Sequence, residues 1–588
     1  MGNRVGVFAL QAGIDEATRA GLSIEDADAL MGRPMGIPKT GVFGLYDLIG
    51  IDLMADVVAS LRAILPTGDA FHEVSKKNQM ILEMINLGYT GNKGKGGFYT
   101  TGRDNKKMVR PLSRPNEPLL DYVLAKKKVP DSVIRSAVLA AQRMEPLDAI
   151  FEGDSAHAKF SRRVLTRILL YAASLIPEVT ESPQDIDDAM KLGFNWQRGP
   201  FELIDAIGQS RLRTMAAETG IPLPKLLENK EPFYKVQGSA VTVRHADQEY
   251  KPFSLPAGVM RFHIKRKTMT PIMENNDASL FALDGFAKGV NDLRLVEFHS
   301  KANALTDLSM EIVAAAAEDH GSGIIIHNDA QHFSAGVDLN CFQQLIEKKD
   351  WSEIDRFLSR FQRAVYKLKY APVPVIGAPS GLAAGGGYEV LAHCDKLVVH
   401  TNSVMGLVES AVGLVPSGGG IKETYLRWHT SVNSWNDAAW QTWMNIGYGA
   451  TGSSPQLSAK LKYFFEGRDE SVMNRDRLLS RAIRMVGDMQ NNYTAPRAPL
   501  IKLASSNLFS KMDDFMEKGL ARGDFFPHDK TVAMTIASVM LSEKPEEEIV
   551  DENHFYARER QAFISLAKTP KTLERINSML NDGAPVRN

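Results

Sequence analysis

Two ten-residue stretches, GVFGLYDLIG at 41–50 and GPFELIDAIG at 199–208, carry Gly, Phe, Leu, Asp, Ile and Gly at matching places. Their offset is 158 (199 − 41). Each follows an acidic helical stretch, EDADAL before the first and QDIDDAM before the second. Unrelated segments seldom agree in both spacing and residue type, so two copies of one helical unit are expected. A chain of 588 residues is also too long for one core, and two to four domains follow.

The hydrophobic pattern divides the chain. Residues 3–31 place apolar side chains at helical spacing, and SIEDADAL (23–30) reads as a capped helix start. GNKGKGGFYTTGRDNKK (91–107) and VRPLSRPNEPLL read as turns and linker. From 283 onward short apolar runs (LRLVEF, GIIIH, VPVIGA, KLVVH) alternate with helical stretches, the signature of an α/β layer. From about 475 the chain is helical again. The expected fold class is multidomain, with two all-α copies followed by an α/β domain with C-terminal helices. The expected boundaries are 1–107 for the first copy, 108–150 for a linker and 151–230 for the second copy. Residues 231–282 are a connecting segment, 283–465 the α/β core and 466–588 its helical region.

Composition excludes several function classes. A net charge of −1 lacks the basic excess of a nucleic-acid binder. With only Cys341 and Cys394, no disulfide framework or cysteine-based zinc site can be built, and a reducing compartment fits. The N-terminal apolar run is broken by Asp15 and Glu16, and no segment is long enough to span a bilayer. A cytoplasmic protein is expected.

The stretch GLAAGGGYEVLAHCDKLVVHTNSVMGLVES (381–410) holds the strongest chemical signal. Three glycines at 385–387 enter a helix, where N–H groups are unpaired, the dipole is positive and missing side chains admit a ligand. In HFSAGVDL (332–339) the small residues Ser334, Ala335 and Gly336 again expose amides. Two such N–H groups converging on one oxygen form an oxyanion hole, worth ~3–4 kcal/mol per donor. Taken singly, a glycine run is more often a hinge, and Glu389 or Glu409 a solvated surface charge.

Together these motifs make residues 283–465 resemble the crotonase superfamily, and within it the enoyl-CoA hydratases. The resemblance rests on FSAGVDL, GLAAGGGYEVLAHCD and the glutamate of MGLVESAVGLVPSGGG. It implies that Glu389 and Glu409, twenty residues apart as in hydratases, hold the catalytic water, and that Ala335 and Gly386 supply the oxyanion amides. The implied activity is addition of water to a 2-enoyl-CoA in fatty acid β-oxidation. Alternatives are a Δ3–Δ2 enoyl-CoA isomerase and a non-catalytic assembly subunit. The implied substrate is an acyl-CoA, with a homo-oligomer and a thiolase or dehydrogenase as partners.

The N-terminal half, through GRPMGIPKTGVFGLYDLIGIDL and its second copy, resembles the C-terminal helical domains of 3-hydroxyacyl-CoA dehydrogenases. The order resembles bifunctional dehydrogenase/hydratase enzymes, without the Rossmann domain that carries the family's Gly-rich loop and His–Glu pair. Asn3 matches the family's active-site asparagine. No cofactor is expected in this chain: the CoA thioester is substrate, and NAD belongs to a full-length form. The one literal GxGxxG, GYGATG at 447–452, follows a helical stretch rather than a strand and is read as a decoy. His332, His393 and His400 lack carboxylates at ligand spacing, so structural roles and no metal are expected.

Overall fold

The computed structural model describes residues 1–588 apart from 103–105, 114–116, 127, 143 and 286–288. Parts of the expected turn at 91–107 and linker at 108–150 therefore lie outside the described residues. The chain forms two units, Met1–Ser254 and Leu255–Asn588.

In the first unit, α1 (Gly2–Ala20) packs along α4 (Ala156–Ser174). Phe8 stacks on Tyr171 with ring centroids 3.9 Å apart, and Arg163 and Arg167 pair with the buried Glu16. Between them come α2 (Ile24–Leu30), capped by Ser23 as its sequence indicates, and α3 (Phe43–Ile49). A small antiparallel sheet follows, β1 (Tyr99–Thr101), β2 (Lys107–Val109) and β3 (Val123–Leu124). The second copy repeats the plan with α5 (Pro183–Phe194), α6 (Pro200–Ile207) and the sheet β4 (Tyr234–Gln237), β5 (Ala240–Arg244) and β6 (Tyr250–Pro252).

The repeated aspartates explain the repeated sequence. Asp28 accepts hydrogen bonds from the Val42, Phe43 and Gly44 amides and from the Tyr99 hydroxyl, tying α2 to the start of α3 and to β1. Asp187 accepts from the Phe201 and Glu202 amides and the Tyr234 hydroxyl. Asp47 takes the Phe98 and Tyr99 amides; Asp205 takes those of Phe233 and Tyr234. Even the aromatic contacts match: Phe43–Phe98 and Phe201–Phe233 meet edge to face at 4.9 and 4.7 Å. The segment 231–282, expected as a connection, thus differs from expectation. Its first part holds β4–β6 and supplies Tyr234, without which the buried Asp187 would lose a partner.

The second unit is built on a seven-stranded sheet. In chain order its strands are β7 (Met273–Glu274), β8 (Ala278–Leu283), β9 (Leu293–Phe298), β10 (Gly323–Ile326), β11 (Val375–Gly377), β13 (Lys396–His400) and β16 (Glu470–Val472). Strands β9, β10, β11, β13 and β16 run parallel, and β8 and β7 add antiparallel at one edge. Ile324 and Ile326 join one core cluster and Ile325 another, so both faces are covered, which is why GIIIH reads as an unbroken apolar run. Helices α7 (Asp307–Glu318), α8 (Leu339–Glu347) and α9 (Trp351–Lys369) cover one face and α13 (Leu478–Gln490) the other. A smaller sheet of β12 (Leu382–Ala384), β14 (Val404–Gly406) and β15 (Thr451–Gly452) adjoins α10 (Gly386–Ala392). Helices α11 (Gly420–Val432) and α12 (Trp435–Gly447) follow. The chain ends in α14 (Asn507–Arg522), α15 (Pro527–Met540), α16 (Glu552–Ala567) and α17 (Pro570–Asp582). Among the described residues no helix is long and apolar enough to cross a membrane.

Candidate active site

The glycine run sits where β12 turns into α10. Gly385 has φ 51° and ψ −126°, a conformation open only to glycine, and a Cβ there would lie 2.8 Å from Glu409 Oε1. At Gly386 a Cβ would lie 2.7 Å from Val337 Cγ2. The missing side chains therefore make room for a carboxylate on one side and for the 332–339 loop on the other.

That loop is pinned to β12. The Ser334 amide donates to Leu382 O at 3.0 Å, and the Ala384 amide returns a bond to Ser334 O at 3.1 Å. Asp338 then caps α8. The pairing fixes which amides are free. Ala335, expected as an oxyanion donor, gives its N–H to Ala302 O at 3.2 Å, and Gly336 gives its own to Ser334 Oγ. Among the described residues, Val337 N–H and Gly386 N–H donate to no protein acceptor. The position of a Cβ on Gly386 is 3.5 Å from Val337 N, so these two amides stand side by side. Val337 and Gly386 are thus the candidate oxyanion donors, whereas the Ala335 amide is occupied by Ala302 O and holds the loop instead. Sequence reading missed Val337 because a backbone donor leaves no mark on the side chain.

Glu389 lies in the first turn of α10 and is buried. Its Oε1 accepts from the Gly418 and Gly420 amides at 2.7 and 2.8 Å. Burial pushes its carboxyl up to about 7 against the pull of those two bonds. Glu409 opens the short turn Glu409–Val412. Burial, and after it the charge of Glu389, holds the Glu409 carboxyl well above the carboxylate range. Its Oε2 is buried and has no protein partner among the described residues. One carboxyl is poised to ionise near neutrality, while the other is biased toward its protonated form and keeps an oxygen unoccupied.

Behind Glu389 lies a linked group of charges. Lys422 Nζ meets Glu552 at 2.6 Å and Glu423 at 2.9 Å, and Lys369 Nζ meets Glu423 at 2.6 Å. The Tyr556 hydroxyl accepts from Lys422, and His393, held neutral by burial, bonds the Glu389 carbonyl through Nδ1. His400 bonds Met473 O, and His332 accepts from the Leu382 amide. GYGATG runs from the end of α12 into β15, with Ser454 capping the next helix, so no strand precedes it. Asn3 is exposed in the first turn of α1 in the other unit.

Comparison with known proteins identifies the domains. Residues 289–428 match the family model "Enoyl-CoA hydratase/isomerase". Residues 1–101 and 160–260 each match "3-hydroxyacyl-CoA dehydrogenase, C-terminal domain". The "Probable 3-hydroxyacyl-CoA dehydrogenase" of Bacillus subtilis is 28% identical over 604 residues, covering 100% of this chain and 73% of its own length. The "Putative fatty acid oxidation complex trifunctional enzyme" of Rickettsia felis is 28% identical over 98% of this chain and 73% of its own. Mouse "Methylglutaconyl-CoA hydratase, mitochondrial" is 35% identical over 119 residues, 20% of this chain and 37% of its own. The chain thus joins two 3-hydroxyacyl-CoA dehydrogenase C-terminal-type domains to an enoyl-CoA hydratase/isomerase domain of the crotonase superfamily.

Proposed function

We propose that this chain is an enoyl-CoA hydratase of fatty acid β-oxidation, adding water across the double bond of a 2-enoyl-CoA. The observation that carries the reading is the pairing of two buried carboxyls with the two free amides of Val337 and Gly386. An isomerase needs one carboxyl to shuttle a proton; hydration needs one to take a proton from water and one to give a proton to carbon.

The steps follow from these positions. The thioester oxygen sits between the Val337 and Gly386 N–H groups, whose bonds strengthen as negative charge develops there. Glu389, with Oε1 held by two amides, receives a water proton on Oε2 while the water oxygen bonds to the β-carbon. Glu409 delivers its proton to the α-carbon, and a proton passes from Glu389 to Glu409 to close the cycle. The CoA thioester is substrate, and the reading assigns no residue of this chain to NAD. Loss of the conjugated enoyl absorbance with crotonyl-CoA tests the reading. Turnover of 3-enoyl thioesters without hydration of 2-enoyl thioesters overturns it.

A further inference from the structure

The turn that enters α11 presents its amides alternately to two carboxylates. Gly418 and Gly420 donate to Glu389; Gly419 and Lys422 donate to Glu559, at 2.9 Å to Oε2 and 2.8 Å to Oε1. Glu559 lies on α16 and is fully buried, with 0% exposure, so water cannot stand in for these donors. The grip is continuous along one face of α16. Glu552, Tyr556 and Glu559, spaced by four and three residues, all engage the segment 419–422, two of them through Lys422 Nζ. Ser417 Oγ donates to Glu559 O at 3.0 Å, tying the turn at its other end.

Successive peptide planes in a tight turn cannot rotate independently. Holding the Gly419 and Lys422 amides therefore fixes the direction of the Gly418 and Gly420 amides between and beside them. We propose that Glu559 is a positioning residue for hydration: by clamping Gly419 and Lys422 it sets the two amides that aim Glu389 at the water. The inference rests on the hydratase reading for its effect on turnover and on geometry alone for its effect on the turn.

Glu559→Gln is the test, because an amide replaces one acceptor oxygen with a donor and either rotamer loses one of the two bonds. For crotonyl-CoA, kcat is expected to fall ~10- to 100-fold with KM unchanged, as for a misplaced catalytic group. Amide hydrogen exchange resolved to single residues is expected to quicken at Gly418 and Gly420, which Glu559 does not touch, as well as at Gly419 and Lys422. Exchange elsewhere stays slow. Unchanged kcat overturns the proposal, as does quickening confined to Gly419 and Lys422 or spread over the whole unit. If the wild-type chain does not hydrate crotonyl-CoA, the hydratase reading falls and the exchange pattern alone decides on Glu559. Should Glu559→Gln fail to fold, Glu559→Asp, which keeps both oxygens but withdraws them by a methylene, takes both measurements.

Discussion

Gly386 and Val337 are fitted to each other: a Cβ on the glycine would stand 2.7 Å from Val337 Cγ2, closer than carbon atoms pack. Gly386→Ala should therefore push the two candidate oxyanion amides apart and lower kcat by up to ~10²–10³-fold, the worth of one lost donor. Val337→Ala removes the obstructing methyl. The double variant Gly386→Ala/Val337→Ala should regain most of the lost rate, and steady-state kinetics of the four proteins closes the cycle. No recovery would place the oxyanion site elsewhere.

Glu389→Gln and Glu409→Gln should each lower hydration by ~10²–10⁴-fold, the usual worth of a positioned acid or base. Circular dichroism and thermal melting should show both folded. Near-normal turnover in either variant removes that residue from the chemistry.

The pair also predicts opposite responses of activity and stability to pH. Hydration should rise as pH climbs through about 7, where Glu389 ionises, and fall where the Glu409 carboxyl, held well above the carboxylate range by burial and by Glu389, gives up its proton. Stability runs the other way. The Glu389 carboxyl ionises near 4.5 when unfolded and about 7 when folded, so the folded state holds its proton longer. That contribution is fully present below 4.5 and is lost as pH rises through 7. Glu389→Gln cannot ionise, so its melting temperature relative to wild type should increase between pH 5 and pH 8. A constant difference would mean that Glu389 is not buried as described.

In the other unit, Asp205→Asn places an amide against the Phe233 and Tyr234 N–H groups, only one of which it can accept. Urea unfolding of the first unit should shift by ~1–3 kcal/mol, the cost of a stranded buried donor. Crotonyl-CoA hydration should not change. An equal loss in both would mean that the two units do not unfold separately.

What the sequence made legible was what lies close along the chain. The glycine run, Glu389 and Glu409 fall within thirty residues, and the parallel strands announce themselves through runs such as GIIIH. Backbone donors are a different matter: Ser334, Ala335, Gly336 and Val337 all offer an N–H, and only the turn at 301–303, which brings Ala302 O to Ala335, decides that Ala335 is occupied and Val337 free. Glu559 lies in RERQ on a helix whose local pattern looks solvated, and only tertiary packing brings it to Gly419. Strands β4–β6 were hidden because each is at most five residues long in a Pro- and Lys-rich segment, where the partner rather than propensity makes the strand.

The charges of Lys369, Lys422, Glu423 and Glu552 sum to zero, and all but the half-buried Lys369 are shut away from solvent. Replacing any one by a neutral side chain strands its opposite number, a change that costs ~3–5 kcal/mol. Descendants of this chain therefore cannot cross that ground one substitution at a time. The four should persist together or be replaced in opposite-sign pairs, so drift at Glu552 near the end of the chain is coupled to drift at Lys422, although only the latter adjoins the catalytic turn.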